Sequence, residues 1–529
     1  MRKTVAALVA AGAGLCLLLP GLPASAAADR KPGGPPATGP TTGTVRWEPC
    51  TDLEGLDCAT VSVPLDHRRP TGEKIKIALT RKRHTVPDHR YQGVLLLNPG
   101  GPGGSGRTMP QWFEGTPVEE AASAYDLIGF DPRGVGASEP RLECGSGYND
   151  PTRPDYVPAN PAEEQAWLNR AKDFARKCAQ ALPRLLPHMT TVDHAHDLEA
   201  IRKALGVEKI NFLGYSWGTY LGATYATLYP HRVRRLVLDS VVRPSGVWYA
   251  NNLDQNRAFE VRAKDFFAWI ARHDAAYGLG ATAADVERRY YELRAAMKTS
   301  PAGGLVGPSE YDDTFLVAGY TNSLWPYLAL GLSLAANGDD SFLVTLYQVL
   351  AQPEGDSDHA LYLATECTDN RWPPQWVIWR RDAAALHRTA PFMTWSNTWF
   401  NAPCLFWPVK AHHPPRITGH GLPPVLLFQS TKDAATPYQG ALEVHRLLPS
   451  SRLVVEDGGG NHGITLAGNE CADGYLAAYL RDGTVPPNRP GPDALCAPLP
   501  DPEPLPANEV AARSAKPSVP EIPEVRIRR

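Results

Sequence analysis

Within the 529-residue chain, the segment best suited to covalent chemistry is Gly214-Tyr-Ser-Trp-Gly218. A serine on a tight turn between a strand and a helix has its hydroxyl lifted clear of the backbone. Glycines must flank it, because a Cβ at either place would strike the neighbouring element. Ser216 is therefore the candidate nucleophile. A serine at its free pKa attacks poorly, so a base and a carboxylate that orients the base must lie nearby. Two later loops offer them, in the order acid then base. Asp433 sits in Gln429-Ser-Thr-Lys-Asp-Ala-Ala-Thr-Pro437, and His462 in Glu456-Asp-Gly-Gly-Gly-Asn-His-Gly463, each directly after a short apolar run. Glu456 and Asp457 are the fallback acids; His445, inside an expected helix, is the fallback base.

A tetrahedral intermediate also needs backbone donors for its oxyanion. The run Asn98-Pro-Gly-Gly-Pro-Gly-Gly-Ser-Gly106 follows an apolar strand, and Gly101 is the first choice for the donor from this loop. The amide of Trp217, next after the nucleophile, is the second. No Gly-Lys-Ser/Thr ending follows the glycines, which argues against a phosphate loop. A second glycine loop, Asp131-Pro-Arg-Gly-Val-Gly-Ala-Ser138, reads as a structural turn in which Arg133 pairs with a buried carboxylate.

These residues must be held by a sheet. Gly93–Asn98, Tyr125–Phe130, Lys209–Leu213, Arg235–Asp239, Pro424–Phe428 and Arg452–Val455 are unbroken apolar runs, the pattern of strands buried on both faces of a parallel sheet. Helices are expected between them, notably Asp193–Leu205 and Thr436–Leu448, the latter capped by Thr436 with Pro437 in its first turn. Strand and helix in alternation give a doubly wound, mostly parallel α/β sheet. The strand pattern stops after Val242 and resumes near Leu422, and the intervening segment carries nine of the 13 tryptophans. It reads as a mainly helical cap inserted into the sheet domain. The expected order is a first core segment over 45–245, the cap over 246–420 and a second core segment over 421–500.

The ends read differently. Arg2 and Lys3, an apolar run from Val5 to Leu19 and the small residues Ala24-Ser-Ala26 form a signal peptide over 1–26, too short in its apolar stretch for a membrane span. A Pro/Gly-rich linker or pro-segment over 27–44 follows, and a Pro-rich tail over 501–529 is expected to be disordered. Beyond Cys16 the chain has Cys50, Cys58, Cys144, Cys178, Cys367, Cys404, Cys471 and Cys496, an even number that suits a secreted, extracellular protein. Pairing each with its nearest neighbour closes four loops, each within one region. The spacings offer no metal site. With 53 basic against 56 acidic residues and a net charge of −3, no basic stripe points to nucleic acid.

The motifs NPGGPGGSG, GFDPRGVGAS, GYSWGTYLG, KDAATP and GNHG, together with ATECTDNRWP in the cap, resemble those of secreted bacterial tripeptidyl aminopeptidases. These are serine peptidases of the proline-iminopeptidase-like branch of α/β-hydrolases, and the resemblance covers about Val45 to Cys496. It implies Ser216 as nucleophile, Asp433 as acid and His462 as base. It also implies release of tripeptides from free N-termini of peptides and proteins, no cofactor, and processing after export. Such an enzyme must hold an ammonium group, which needs carboxylate or carbonyl partners when buried. Glu366, beside Cys367, is assigned as that anchor with Asp369 as helper; Asp254 and Glu260 are the rivals. A carboxylesterase or lipase would share the triad, and a non-catalytic binding protein of this fold would usually have lost a member of it.

Overall fold

The computed structural model describes residues 45–145, 147–353 and 355–505; the expected signal peptide and linker, and the tail after residue 505, lie outside them. Ten strands form one sheet: β1 Glu48–Pro49, β2 Asp57–Pro64, β3 Lys74–Lys82, β4 Val94–Asn98, β5 Asp126–Phe130, β6 Ile210–Tyr215, β7 Val233–Asp239, β8 Val425–Ser430, β9 Ser451–Glu456 and β10 Ala494–Cys496. They are ordered β1-β2-β3-β5-β4-β6-β7-β8-β9-β10. From β5 to β10 every pairing is parallel, whereas β1 to β3, and β3 with β5, pair antiparallel.

All six expected strands are present within a few residues. The apolar-run criterion overlooked β2 and β3, because they alternate. Val61, Val63, Ile75 and Ile77 point inward while Thr60, Ser62, Lys74 and Lys76 face solvent, as suits antiparallel strands with one wet face. Five helices matter to the site: α1 Thr191–Ala204, α2 Trp217–Leu228, α3 Tyr249–Arg272, α4 Ser357–Asp369 and α5 Glu470–Asp482. Thr190 caps α1 in a reciprocal box with Asp193. The second glycine loop braces this helix: Arg133, wholly buried, grips Asp197 with Nε at 2.7 Å and Nη2 at 2.6 Å.

Among the described residues no strand lies between β7 and β8; the segment is helix and loop. Its own core gathers Phe259, Phe266, Trp269, Trp325, Leu328 and Tyr347, while Trp395 and Trp399, their rings stacked 5.8 Å apart, belong to the main core. The helix α4 is buried nearly all round, so both its faces have partners. No helix among the described residues is long and apolar enough to cross a membrane.

Disulfides join Cys50 to Cys58, Cys144 to Cys178, Cys367 to Cys404 and Cys471 to Cys496. The third ties the end of α4 to the short 3-10 helix Ala402–Phe406, which holds Cys404, across 37 residues. A loop of that length restricts the unfolded chain appreciably. Replacing Cys367 and Cys404 together by serine is expected to lower stability by about 2–5 kcal/mol, read as a fall in Tm under non-reducing conditions.

Two expectations need correction. The helix after β8 starts at Gln439, not Thr436, and Thr436 does not cap it. The tail does not begin as a free segment at Asp501. Asp501 accepts from Arg272 at 2.7 Å, the Trp269 indole donates to Pro502 O at 3.0 Å, and the Leu505 amide donates to the Tyr277 hydroxyl at 3.1 Å. A proline-rich strap has no core of its own, but it can borrow polar partners from helices already folded.

Candidate active site

Ser216 follows the last residue of β6 and precedes the first of α2, with φ at 56°. A non-glycine residue held there is strained, and the surroundings enforce it. A Cβ on Gly214 would lie 2.5 Å from Gly218 O, and one on Gly218 would lie 2.6 Å from Asn98 Oδ1. The Ser216 amide donates to Asp239 O at 3.1 Å, tying the turn to the end of β7.

Asp433 and His462 meet at the carboxyl ends of β8 and β9. His462 Nδ1 lies 2.9 Å from Asp433 Oδ2 and 3.0 Å from Oδ1, with both side chains buried. Oδ1 also accepts from the amides of Ala435 at 3.0 Å and Thr436 at 2.9 Å. Oδ2 accepts from Thr436 Oγ1 at 2.9 Å and Gln429 Nε2 at 3.4 Å. Thr436, expected as a helix cap, thus holds the acid instead. The other imidazole nitrogen, Nε2, has no partner among the described residues.

Two residues that sequence reasoning passed over seat the histidine loop. Asp239 accepts from the Ile464 amide at 3.0 Å, the Thr465 amide at 2.8 Å and Thr465 Oγ1 at 2.6 Å. Ser240 Oγ accepts from the Gly463 amide at 2.7 Å. The nucleophile turn and the histidine loop therefore share one anchor at the end of β7. The only hint in the sequence was an acid closing an apolar strand. His462 is further held from the cap, its amide donating to Tyr320 O at 2.8 Å and its ring meeting that tyrosine edge-on at 5.6 Å.

The glycine loop after β4 lies against the serine turn. At Gly100, φ is +100°, and a Cβ would fall 2.6 Å from Tyr215 O, 2.8 Å from Ser216 Cβ and 3.2 Å from the Trp217 nitrogen. Only glycine permits this approach. Neither the Gly101 nor the Trp217 amide has an acceptor among the hydrogen bonds of the described loops.

The cap carboxylates separate clearly. Glu366 is buried on α4, and its Oε2 has no hydrogen-bond partner among the described residues. Burial pushes its carboxyl well above the usual range, the charge of Asp369 adds to this, and hydrogen bonding with Tyr362 and Asn252 opposes it. Asp369 has no such vacancy: Oδ1 accepts from the Thr191 amide at 2.6 Å, and Oδ2 from Thr191 Oγ1 at 2.6 Å and the Trp248 indole at 3.1 Å. Burial pushes it up to about 7 against those hydrogen bonds. The expected helper role thus meets a carboxyl whose oxygens are already taken. The rivals are engaged elsewhere: Asp254 pairs with Arg243 and Arg257, and Glu260 accepts from the Phe392 amide at 3.1 Å. Among the fallbacks, Glu456 accepts from Ser430 and Asn469, and His445 bonds Ser451.

The sheet order, the strained serine turn and the helical insertion before β8 define the α/β-hydrolase class. A family model described as alpha/beta hydrolase fold matches residues 93–465. The chain is 44% identical over 476 residues to a tripeptidyl aminopeptidase of Streptomyces lividans, covering 87% of this chain and 88% of that one. It is 32% identical over 486 residues to serine protease Hip1 of Mycobacterium tuberculosis, covering 84% and 90%. To carboxylesterase B of the same organism it is 32% identical over 521 residues, covering 91% and 96%. The chain belongs to the α/β-hydrolase family and groups with its tripeptidyl aminopeptidases.

Proposed function

We propose that the protein is a secreted serine exopeptidase that releases tripeptides from free N-termini. In this reading His462 Nε2 takes the Ser216 proton as the hydroxyl attacks a peptide carbonyl, and Asp433 fixes the tautomer and stabilises the imidazolium. The amides of Gly101 and Trp217 receive the oxyanion. His462 then protonates the leaving amine, and water activated by the same imidazole hydrolyses the acyl-enzyme.

The observation that carries the substrate reading is the unpartnered oxygen of Glu366. A Cβ on Gly103, in the oxyanion loop, would lie 3.0 Å from Leu361 Cβ and 3.7 Å from the Tyr362 nitrogen, so α4 packs directly on that loop. Glu366 stands one turn further on, about 6 Å along the helix axis from Tyr362. A buried carboxylate with one open acceptor, set within the cap of 246–420, is a fitting seat for a substrate ammonium.

Cleavage of a tripeptide anilide, its N-acetylated form and a short-chain ester tests this. Free-amine peptide is expected to be hydrolysed far better than the other two. Equal cleavage of blocked and free peptides would remove the exopeptidase reading, and a strong ester preference would favour an esterase. Glu366→Gln is expected to raise KM for the free tripeptide anilide about 10- to 100-fold with a smaller change in kcat. Because burial raises the Glu366 pKa, its charged form appears only as pH rises through that shifted value. Free-amine kcat/KM should climb over this range in the wild type, and E366Q should flatten the rise.

A further inference from the structure

The cap helix α4 packs on the glycine loop and is linked, through Thr191, to the residue after Ser216. Its first turns press on Gly103, where a Cβ would lie 3.0 Å from Leu361 Cβ and 3.3 Å from Asp358 O. Its last residue, Asp369, reaches the core helix α1 through the amide and hydroxyl of Thr191, each at 2.6 Å. The Thr191 hydroxyl in turn accepts from the Trp217 indole at 3.1 Å. Trp217 follows the nucleophile directly and is the first residue of α2. Thr191, Trp217 and Asp369 are 0%, 1% and 4% exposed.

We propose that Asp369 is a positioning residue: through Thr191 it fixes the Trp217 indole, and with it the backbone amide that receives the oxyanion beside Ser216. A hydroxyl that donates to a carboxyl and accepts from an indole has one orientation, and in a dry interior such linked hydrogen bonds resist rotation. The edge of His194 packs against the same indole at 5.1 Å, so the ring has little other freedom. An amide displaced by a fraction of an ångström stabilises a developing oxyanion poorly. The arrangement also distinguishes Asp369 from Glu366 three residues earlier. Three donors occupy the Asp369 oxygens, whereas Glu366 keeps one oxygen open.

The inference rests on the reading of Ser216 as nucleophile with Trp217 as donor, and its test separates the two. Hydrolysis of a free tripeptide anilide and of p-nitrophenyl acetate, which has no amine, is measured for Asp369→Asn, Thr191→Val and Thr191→Ser, with Ser216→Ala alongside. D369N and T191V are expected to lower kcat about 10- to 100-fold on both substrates, with KM for the tripeptide within about threefold of wild type. T191S should restore most of the rate. The D369N/T191V double variant should be no worse than the weaker single one, because both break the same relay. A D369N enzyme with raised tripeptide KM and wild-type ester rate would overturn the proposal in favour of an amine contact. A T191V enzyme within twofold of wild type on both substrates would overturn it even if D369N fails to fold. Wild-type ester hydrolysis by S216A would instead bring down the underlying reading.

Discussion

Ser216→Ala is expected to lower kcat on a tripeptide anilide by about 10⁴- to 10⁶-fold, with KM little changed. In the proposed mechanism Ser216 supplies the oxygen that forms the acyl bond, and alanine offers none. The residual rate would come from oxyanion donors and substrate positioning, which the substitution leaves intact. The fold should tolerate the change. Alanine keeps the Cβ, and the backbone at φ 56° is held by the Ser216 amide bond to Asp239 O, not by the hydroxyl. Steady-state kinetics paired with a fluorophosphonate probe checks the prediction: wild type gains the covalent mass and S216A does not. Turnover within tenfold of wild type would end the serine mechanism.

Asp433→Asn is expected to cost about 10⁴-fold in kcat, and the reason lies in the donors around the carboxylate. Oδ1 receives the backbone amides of Ala435 and Thr436. An asparagine must therefore place its carbonyl oxygen there, which leaves its NH₂ at the Oδ2 position, 2.9 Å from His462 Nδ1. The amide then donates to Nδ1 and drives the proton to Nε2, the nitrogen that should accept from Ser216. The substitution changes almost no volume, so it inverts the tautomer with the fold intact. A loss below about tenfold, with Tm within a few degrees of wild type, would show that Asp433 does not orient the base. In the S216A background D433N should add little, because the members of the triad act as one unit.

Local signals in the chain went a long way. A serine between glycines at the end of an apolar run specifies a strained turn through short-range sterics alone, and the runs themselves name the parallel strands because burial on both faces leaves no room for alternation. The same criterion missed β2 and β3, whose single wet face gives them the opposite pattern. Thr436 and Pro437 look like a helix start in any window of sequence. In the structure Thr436 gives its amide and hydroxyl to Asp433, three residues earlier, and its hydroxyl lies 3.4 Å from His462 Nδ1.

What the sequence determined by itself was the set of reactive groups and their chain order, because strained turns, strand runs and glycine loops are written within a few residues. The tertiary structure decided which carboxyl is free and which is taken. Asp369 and Thr191 are 178 positions apart, and Asp239 and Ile464 are 225 apart. Glu366 and Asp369 share one helix and one composition, yet one carboxyl keeps an open oxygen and the other meets three donors. That difference comes from the distant elements folded against each face, and no local pattern encodes it.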